Sequence, residues 1–439
     1  MYDLCIIGGG PAGYTAGIEA SASGLRVLLI EREELGGTCL NVGCIPTKTL
    51  LYSCKQYRNM LGGAKYGVRS EGVLYDYEKM QQRKQKVVRK LVAGLRQRLR
   101  GCDVVKGFAC VEHYSEDSII VSVGEDRYES KSLFICTGSR NFVPPIKGLE
   151  GNEYVWDSTA ALESKLLPES IVIIGGGVIG MEFATIYSSL GIGVTVIEAM
   201  DRILPNMDID CAEYVAEQYR RVGVAIRCGE RVLEVLGNKV ITDAGEYVGG
   251  RILVSVGRRA VLDGLEVLDG LEMDRQGIKV NEFMQTNLKN VYAIGDVTGK
   301  VMLAHVASRQ AEVAVGRLLK RIPVQRIAYN AIPSVVYTNP EIASVGLQES
   351  DLSGDHCVLP IDYELRSLPM TFSGRFVSEN EGETGLCKVL TSKKDGSILG
   401  VHCVGNGSSE FIGLASMAVR FGYTMDEFKQ VVLPHRSRG

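Results

Sequence analysis

Residues 3–13 read Asp-Leu-Cys-Ile-Ile-Gly-Gly-Gly-Pro-Ala-Gly, and this stretch decides the fold. Its first five residues predict a short apolar strand, which leads directly into the pattern G-x-G-x-x-G. A helical pattern then runs to about Gly24, and a second apolar strand over residues 26–30 ends in Glu31. This order of strand, glycine loop, helix, strand and acid is typical of a dinucleotide-binding βαβ unit.

The glycines of this loop have separate physical purposes. Gly8 and Gly10 let the chain turn and bring its backbone close to a pyrophosphate at the helix N-terminus. Gly13 lets the helix pack closely on the strand, and Glu31 lies where a carboxylate accepts hydrogen bonds from a ribose. Because one G-x-G-x-x-G is weak evidence, the interpretation depends on its recurrence in the same context.

The pattern does recur, in the middle of the chain. A strand predicted over residues 171–174 leads into a loop with Gly175, Gly177 and Gly180, and a helix and a second strand follow. That strand ends in Glu198. The acid follows the first glycine by 23 residues in both copies, from 8 to 31 and from 175 to 198. Two full copies with matched spacing are strong evidence for two dinucleotide sites.

A pair of cysteines follows the first unit, within the stretch Gly-Gly-Thr-Cys-Leu-Asn-Val-Gly-Cys-Ile-Pro-Thr-Lys of residues 36–48. An undistorted α-helix would hold the Cα atoms of Cys39 and Cys44 roughly 8.6 Å apart, whereas a disulfide tolerates about 6.8 Å at most. The two can therefore bridge only where the chain leaves ideal helix geometry. So short a closed loop removes little unfolded-state entropy, which favours a redox-active pair over a structural disulfide.

Two dinucleotide sites beside a dithiol predict an electron relay. One site would hold a nicotinamide and the other a flavin, and the disulfide would exchange electrons with a substrate. A flavin has a purpose between the two because nicotinamide delivers hydride, whereas thiol exchange requires thiolates.

Composition narrows the protein class. The 439 residues suffice for more than one domain, and the net charge of −3 gives no basic footprint for nucleic acid or an anionic membrane. No apolar run approaches the roughly 20 residues of a membrane-spanning helix. The 12 cysteines include no zinc-type C-x-x-C pairs, so we expect no metal site. We expect a cytoplasmic protein that binds neither nucleic acid nor membranes.

Further motifs identify a resemblance. Besides the cysteine segment with Lys48, they are Thr137-Gly138-Ser139, Gly257-Arg258-Arg259, Ala293-Ile294-Gly295-Asp296-Val297 and Val335-Val336-Tyr337-Thr338-Asn339-Pro340-Glu341. With these motifs the chain resembles the class I pyridine nucleotide-disulfide oxidoreductases from residue 1 to about 435, and within them the dihydrolipoyl (lipoamide) dehydrogenases. The resemblance implies a flavoprotein disulfide oxidoreductase that oxidises protein-bound dihydrolipoamide with NAD through FAD and a Cys39–Cys44 disulfide.

The resemblance also implies the architecture. We expect an α/β protein with two Rossmann-like dinucleotide-binding domains, for FAD and NAD, and a C-terminal α+β dimerisation domain. The FAD domain would cover residues 1–140, interrupted by a Lys- and Arg-rich helix near 76–100, and the NAD domain residues 141–258. Residues 259–325 would return to the flavin, with a helix over about 302–319. Residues 326–439 would form the interface of a homodimer, with a Lys394-Asp395-Gly396 turn between strands and a helix over about 408–421.

Catalytic roles are carried over by position. By resemblance Cys44 is the thiol against the flavin, and Cys39 is the interchange thiol, which attacks the substrate when the substrate is a disulfide. Lys48 and Glu182 would form an ion pair beside the flavin, and His435 would act as the proton acceptor at the dithiol of the partner subunit. The implied FAD- and NAD-binding residues, in addition to Lys48, are Gly8, Gly10, Gly13, Glu31, Gly37, Thr38, Ala109, Thr137, Gly138, Asp296, Ala304, Gly175, Gly177, Gly180, Glu198, Val232 and Gly257.

Charge predicts the coenzyme. Glu198 can accept a hydrogen bond from a 2′-hydroxyl and would repel a 2′-phosphate, and no basic residue follows it in Ala199-Met200-Asp201. NAD is therefore favoured over NADP.

The substrate is inferred by comparison within the resembling family. Residues 16–19 offer no cation for glutathione, whereas Tyr14, Ala16 and Ile18 are similar to the lipoamide branch. The implied partner is a lipoylated acyl-carrier protein of a 2-oxoacid dehydrogenase or glycine-cleavage complex. Which of these it serves stays open at this stage.

The C-terminal end departs from the family pattern His-Pro-Thr-x-x-Glu. His435 is followed by Arg436 and Ser437, and the position of the partner glutamate, 440, lies beyond Gly439. Either the sequence stops short of the natural end or the chain is a natural variant. Without a carboxylate on its second nitrogen, a histidine base loses tautomer control. The expectation is retained NADH-to-dye (diaphorase) activity with impaired lipoamide turnover.

Other functions are compatible with these motifs. A different NAD(P)H-dependent disulfide reductase or an NADH oxidase would use the same relay. An FAD-binding structural component of an acyl-transfer complex is a further alternative, although it would need neither the two cysteines nor Lys48 and Glu182.

Overall fold

The computed structural model describes residues 1–323, 326–352 and 358–432. The chain divides into two compact units. Unit 1 comprises residues 1–49, 78–142 and 257–327, and unit 2 comprises residues 50–77, 143–256 and 328–439. Within the described ranges no helix combines enough length with enough apolar character to cross a bilayer.

The strands are short, as expected for α/β domains, and run in chain order as follows: β1 Leu4–Ile7, β2 Val27–Glu31, β3 Cys102–Lys106, β4 Ala109–Tyr114, β5 Ile119–Val123, β6 Asp126–Ser130, β7 Leu133–Ile135, β8 Ser139–Asn141, β9 Val155–Trp156, β10 Ser170–Ile174, β11 Gly193–Glu198, β12 Ala225–Cys228, β13 Val232–Leu236, β14 Lys239–Thr242, β15 Glu246–Val248, β16 Arg251–Val254, β17 Arg258–Ala260, β18 Val291–Ala293, β19 Ser334–Val336, β20 Ile342–Gly346, β21 Tyr363–Leu368, β22 Leu386–Ser392 and β23 Ile398–Val404.

The α-helices are α1 Pro11–Ala22, α2 Gly37–Asn41, α3 Cys44–Leu61, α4 Tyr77–Arg98, α5 Ser158–Glu163, α6 Val178–Ser189, α7 Ile209–Arg221, α8 Ala304–Leu318, α9 Glu349–Leu352, α10 Gly374–Glu379, α11 Ser408–Phe421 and α12 Met425–Phe428. Single 3₁₀ turns cover Gly63–Tyr66, Gly295–Thr298, Tyr329–Ala331 and Met370–Phe372.

Unit 1 is built on a parallel sheet with strand order β18-β7-β1-β2-β3. The side chains of β1 alternate between two cores, because successive residues of a strand point to opposite faces. Leu4 and Ile6 pack with the alanines of α1 and α8, whereas Cys5 and Ile7 pack with the antiparallel sheet β4-β5-β6. Both faces of the sheet are thus covered, which explains why β1 is apolar throughout.

Unit 2 repeats this plan and adds a further block. Its parallel sheet has the order β12-β11-β10-β16-β9, and a second antiparallel sheet, β13-β14-β15, packs against the side chains of Val172 and Ile174 on β10. From β19 onward an antiparallel sheet of order β19-β20-β23-β22-β21 packs on α11 through a core that includes Val345, Val401 and Ile412. These sheets confirm the predicted α/β class with a terminal α+β block, whereas the predicted domain boundaries stay predictions.

The predicted elements differ from the observed ones by one or two residues. The strand predicted over 3–7 is β1, and the helix predicted to about Gly24 is α1, which ends at Ala22. The predicted helix near 76–100 is α4, and the one over 302–319 is α8. Helix α11 has the predicted bounds, and the turn at residues 394–396 connects β22 to β23.

Candidate active site

The first glycine loop has no room for side chains at two of its positions. Gly8 has a φ of +104°, and a β-carbon on it would lie 2.2 Å from the carbonyl oxygen of Cys136. A β-carbon on Gly13 would lie 1.8 Å from the carbonyl oxygen of Gly8. The loop therefore turns tightly between β1 and α1, and α1 begins with Pro11 behind an extended Gly10. The first N–H groups of α1 have no acceptor within the helix, so this end of the helix is suited to an anion.

The second loop reproduces this geometry in unit 2. Gly175 has a φ of +105°, and a β-carbon on Gly180 would lie 2.0 Å from the carbonyl oxygen of Gly175. The residues before the two helices, Gly10 and Gly177, have the same φ of −73°. The repeat that the sequence predicted is thus also a repeat of backbone conformation.

The acids predicted to bind ribose also hold their own loops. Glu31 accepts hydrogen bonds from the backbone N–H of Gly9, at 2.6 Å, and of Glu33, at 2.7 Å. Glu198 accepts the equivalent bonds from the N–H of Gly176, at 2.7 Å, and of Met200, at 2.8 Å. Because a carboxylate offers about four lone-pair sites, each acid keeps capacity for ribose hydroxyls. The sequence did not predict this second role.

The cysteine segment leaves helix geometry where the spacing required it. Helix α2 ends at Asn41, and α3 begins at Cys44. Between them Val42 has a φ of −136°, outside the helical region. Asn41 stabilises the preceding turn because its side-chain amide donates to the carbonyl oxygens of Glu34, Leu35 and Gly37.

This break brings the sulfurs of Cys39 and Cys44 together. A hydrogen bond between the two side chains raises the pKa of Cys39, and burial raises it further. The charge of Lys48 opposes both effects and lowers that pKa. Lys48 follows Cys44 by four residues on α3, so the two lie on one helix face. The dithiol therefore lies beside a positive charge that favours its thiolate form.

The dithiol and the first glycine loop are held together by backbone contacts. Gly36 donates its N–H to the carbonyl oxygen of Gly9 at 2.8 Å. A β-carbon on Gly37 would lie 2.8 Å from the Cα atom of Gly10. A group bound on the loop at the start of α1 would consequently lie near the cysteines.

Tyr14 on α1 also belongs to this part of the site. Burial raises the pKa of Tyr14, and the nearby thiolate forms of Cys39 and Cys44 raise it as well, whereas the guanidinium of Arg98 lowers it. The sequence indicated Tyr14 because this residue is similar to the lipoamide branch of the family. The structure adds Arg98, which was not identified from the sequence because it lies in a long run of basic residues.

A polar network surrounds Asp296. Its carboxylate accepts a hydrogen bond from the hydroxyl of Ser139 at 2.6 Å, and Ser139 in turn accepts from Nε of Arg258 at 2.7 Å. Arg258 also binds the carbonyl oxygen of Ser139 and the side chain of Asn141. The negative charge of Asp296 contributes to the raised pKa of Cys39, so this network lies near the dithiol.

The other predicted residues of unit 1 are distributed over several of its elements. Thr137 donates its hydroxyl to the carbonyl oxygen of Val261, and Gly138 and Gly257 both have positive φ. Ala304 is the first residue of α8, and His305 beside it is exposed. Ala109 is buried at the start of β4, and Thr38 is exposed on α2.

The remaining predicted residues do not all belong to unit 1. Glu182 is buried on α6 in unit 2 and accepts a hydrogen bond from the N–H of Tyr337 at 3.2 Å. Val232 begins β13. Because Lys48 belongs to unit 1 and Glu182 to unit 2, their ion pair stays a prediction. His435 lies outside the described residues.

These features fit two dinucleotides. Each loop offers a helix N-terminus without acidic residues in its first turn, a close backbone approach and a carboxylate with spare acceptor sites. Chemically, the arrangement can hold two pyrophosphates and keep a dithiol close to one of them.

Comparison with known proteins gives two family matches. Residues 2–311 match the pyridine nucleotide-disulphide oxidoreductase model, and residues 332–437 match the dimerisation domain of the same family.

Similar curated sequences carry one name. The dihydrolipoyl dehydrogenase of Mycoplasma genitalium is 36% identical and aligns with 99% of this chain and 95% of its own length. That of Acholeplasma laidlawii is 46% identical over 73% of this chain and 96% of its own length. A dihydrolipoyl dehydrogenase of Bacillus subtilis is 36% identical over 99% of this chain and 95% of its own length.

Two solved structures have the same fold. The HOCl-induced flavoprotein disulfide reductase RclA of Escherichia coli superimposes with a TM-score of 0.85 at 28% identity, covering 99% of this chain and 97% of its own. LpdA of Mycobacterium tuberculosis superimposes with a TM-score of 0.91 at 24% identity, covering 99% and 97%.

Proposed function

The chain belongs to the pyridine nucleotide-disulphide oxidoreductases, and from this premise we propose that it oxidises protein-bound dihydrolipoamide with NAD as the acceptor. It is an oxidoreductase of a family that uses FAD and NAD(H). The observation that carries the proposal is the contact between the thiols of Cys39 and Cys44, beside Lys48 and next to the first glycine loop. The substrate follows from the relatives named dihydrolipoyl dehydrogenase.

We assign the cofactors by unit. FAD would bind on the loop with Gly8, Gly10 and Gly13 and with Glu31, and its other contacts would come from a set of residues in the same unit. That set is Gly37, Thr38, Lys48, Ala109, Thr137, Gly138, Gly257, Asp296 and Ala304. NAD would bind on the loop with Gly175, Gly177 and Gly180, with Glu198 and Val232. When bound, FAD supplies the acceptor for the dithiol's electron pair, which NAD finally receives as hydride.

The protein residues carry out the thiol chemistry. His435 takes a proton from one thiol of dihydrolipoamide, and the resulting thiolate attacks Sγ of Cys39 in the oxidised Cys39–Cys44 pair. The bond between the two cysteines breaks, and Cys44 leaves as a thiolate that Lys48 stabilises. The second substrate thiol then displaces Cys39, so lipoamide leaves with a closed disulfide and the enzyme keeps the two electrons on its dithiol.

Tyr14 has a positioning role in this proposal. It is half-buried on α1 and close to both cysteines. An aromatic ring there would exclude water from the dithiol and offer an apolar wall to the lipoyl arm. Glu182 would hold Lys48 in place as its counter-ion.

The quaternary assignments extend the same proposal. The chain carries the family's dimerisation domain, and we assign it to a homodimer that serves a 2-oxoacid dehydrogenase or glycine-cleavage complex. The domains would be 1–140 and 259–325 for FAD, 141–258 for NAD and 326–439 for the interface. A cytoplasmic location belongs to the proposal because the dithiol depends on a reducing compartment.

The proposal is tested with purified protein and three readouts. FAD content is measured after denaturation, dihydrolipoamide oxidation is followed by NADH formation, and diaphorase activity is followed with a dye. Cys44→Ser and Cys39→Ser should each lower dihydrolipoamide oxidation on the order of 10³-fold or more, because neither can complete thiol exchange. Both variants should keep bound FAD.

The outcomes discriminate between functions. Wild-type protein that contains FAD and forms NADH from dihydrolipoamide would support the proposal. Rapid oxygen consumption with NADH would instead identify an NADH oxidase, and a strong preference for another disulfide would identify a different reductase. Protein that binds no FAD would refute the assignment.

A further inference from the structure

A second pair of cysteines faces across the antiparallel sheet of unit 2. Cys387 on β22 lies directly opposite Cys403 on β23. Facing residues of antiparallel strands have Cα atoms about 4.5 or 5.5 Å apart, and disulfides span Cα separations of about 4.4–6.8 Å. The Sγ atoms of Cys387 and Cys403 are 3.4 Å apart. The register therefore places the two thiols at a separation from which a bond can form with little backbone movement.

The surroundings hold this pair in place. Cys403 is 1% exposed and Cys387 is half-buried, and both pack with residues of α11 such as Ile412 and Ala415. The alternating residues Lys388 and His402 are fully buried as well. The strands are thus packed on both sides of the sheet, which limits the movement of the two sulfurs.

The other face of the sheet is anchored by ion pairs. Nζ of Lys388 binds the carboxylates of Asp208, at 2.9 Å, and Asp210, at 2.6 Å, and also that of Glu349. These bonds secure β22 immediately beside Cys387. The register that opposes the two cysteines is thus strongly determined.

We propose that Cys387 and Cys403 form a second redox-active disulfide, separate from the Cys39–Cys44 pair. The oxidant is a low-molecular-weight disulfide of the glutathione class. The thiolate of Cys387, the more exposed of the two, attacks one sulfur of the oxidant and releases one thiol. Cys403 then displaces the second thiol from the mixed disulfide. In total, the two cysteines lose two protons and two electrons, and the oxidant becomes two thiols.

The electrostatics agree with this order of events. The hydrogen bond with Cys403 lowers the pKa of Cys387, whereas the same contact raises the pKa of Cys403. Cys387 is consequently the thiol that ionises first. The product would join β22 to β23 beneath α11.

One further thiol must be distinguished. Cys211 on α7 is buried, and its charge affects the pKa of Cys403. A short sulfur contact, however, joins Cys403 to Cys387, and the register fixes that partner. The proposal therefore specifies Cys387–Cys403 and not a bond to Cys211.

The test uses the wild-type holoenzyme. It is fully reduced, incubated with oxidised glutathione, quenched with acid, alkylated under denaturing conditions and digested with trypsin. Cys387 falls in the peptide 376–388 and Cys403 in the peptide 395–420. We expect these two peptides to appear joined and their alkylated forms to fall together. The peptide 33–48, which carries Cys39 and Cys44, reports in the same digest whether oxidation was effective.

Variants supply the controls. Cys387→Ser should abolish the joined peptide, whereas Cys110→Ser, a half-buried cysteine of unit 1, should leave its yield unchanged. Recovery of both alkylated peptides while 33–48 is oxidised would overturn the proposal. So would a stable glutathione adduct on Cys387 without the joined peptide, or a bond from either cysteine to Cys211.

Discussion

At the scale of single residues, the two dinucleotide loops depend on glycines that tolerate no β-carbon. A β-carbon on Gly13 would lie 1.8 Å from the carbonyl oxygen of Gly8, and one on Gly180 would lie 2.0 Å from that of Gly175. Both distances are shorter than any side chain can adopt. The requirement is readable from sequence because the pattern fixes which glycine meets which carbonyl.

Gly13→Ala should therefore yield protein that has lost most of its FAD, and Gly180→Ala should yield FAD-containing protein with weakened NADH use. FAD content and the KM for NADH separate the two effects. Gly94→Ala is the matched control, since no atom lies within 4 Å of a β-carbon built on Gly94 in α4. That substitution should stabilise the helix by about 1 kcal/mol. Equal FAD loss in both loop variants would contradict the assignment of FAD to unit 1 and NAD to unit 2.

Glu198 combines coenzyme choice with support of its loop. Glu198→Arg should shift the ratio of kcat/KM for NADPH over NADH by at least about tenfold, equivalent to ~1.4 kcal/mol, because it replaces a repulsive charge with an attractive one. It should also lower NADH use in absolute terms, since two backbone N–H groups lose their acceptor.

Met200→Arg provides a comparison for this change. Met200 is 54% exposed and bonds to Glu198 only through its backbone. Arginine at this position adds a cation while Glu198 keeps its bonds. An unchanged coenzyme ratio in Glu198→Arg would refute the role of that acid in selection.

At the scale of elements, the sequence predicts those helices and strands whose signals lie close together in the chain. The bounds of helix α11 were predictable because a glycine stands at each end, Gly407 and Gly422. Both adopt a positive φ, which glycine allows. The pairing of β8 with β17 was not predicted, since its strands have three residues each and join parts of the chain more than 100 residues apart. The network of Ser139, Arg258 and Asp296 depends on that pairing.

His402 on β23 gives the sheet of the α+β block a dependence on pH. Burial lowers the pKa of His402 below its usual value, although its hydrogen bond to the carbonyl oxygen of Leu347 partly opposes this. The unfolded chain therefore takes up a proton near pH 6.5, where the folded chain does not. The free energy of unfolding should therefore be highest above that pH and should fall as the pH is lowered through it.

The measurement is the urea midpoint at pH 7.5 and pH 5.5. His402→Gln can still donate to Leu347 but does not titrate, so its midpoint should fall less than that of the wild type over this interval. His113→Gln, at an exposed position, should behave like the wild type. Equal decreases in all three proteins would exclude His402 as the source of the dependence.

At the scale of the whole molecule, the family and both cofactors predicted from the sequence are confirmed. They were predictable because the two βαβ units each carry a complete local signature. The predicted ion pair between Lys48 and Glu182 has no such local signature, because the two residues are more than 100 positions apart and belong to different units. The proposed homodimer adds a further test, because the resemblance places His435 against the cysteines of the partner subunit.

Mixed dimers should reveal this sharing. Cys44→Ser should lose dihydrolipoamide oxidation. His435→Gln should oxidise dihydrolipoamide about 10²–10⁴-fold more slowly than the wild type. When the two are unfolded, mixed in equal amounts and refolded with FAD, half of the dimers carry one intact site of two. About a quarter of the wild-type rate should therefore return. Failure to recover activity, with refolded wild type as the control, would mean that each subunit completes its own site.

The matching conformations of the two glycine loops also bear on inhibitor design. A compound that engages only the loop backbone, the start of the helix and the carboxylate would meet the same φ values and the same pair of hydrogen bonds in both places. Such a diphosphate mimic would be unable to distinguish the two pockets. Selectivity would have to come from chemistry outside the repeat. Asp296 offers such chemistry, because its carboxylate binds Ser139, which in turn accepts a hydrogen bond from Arg258.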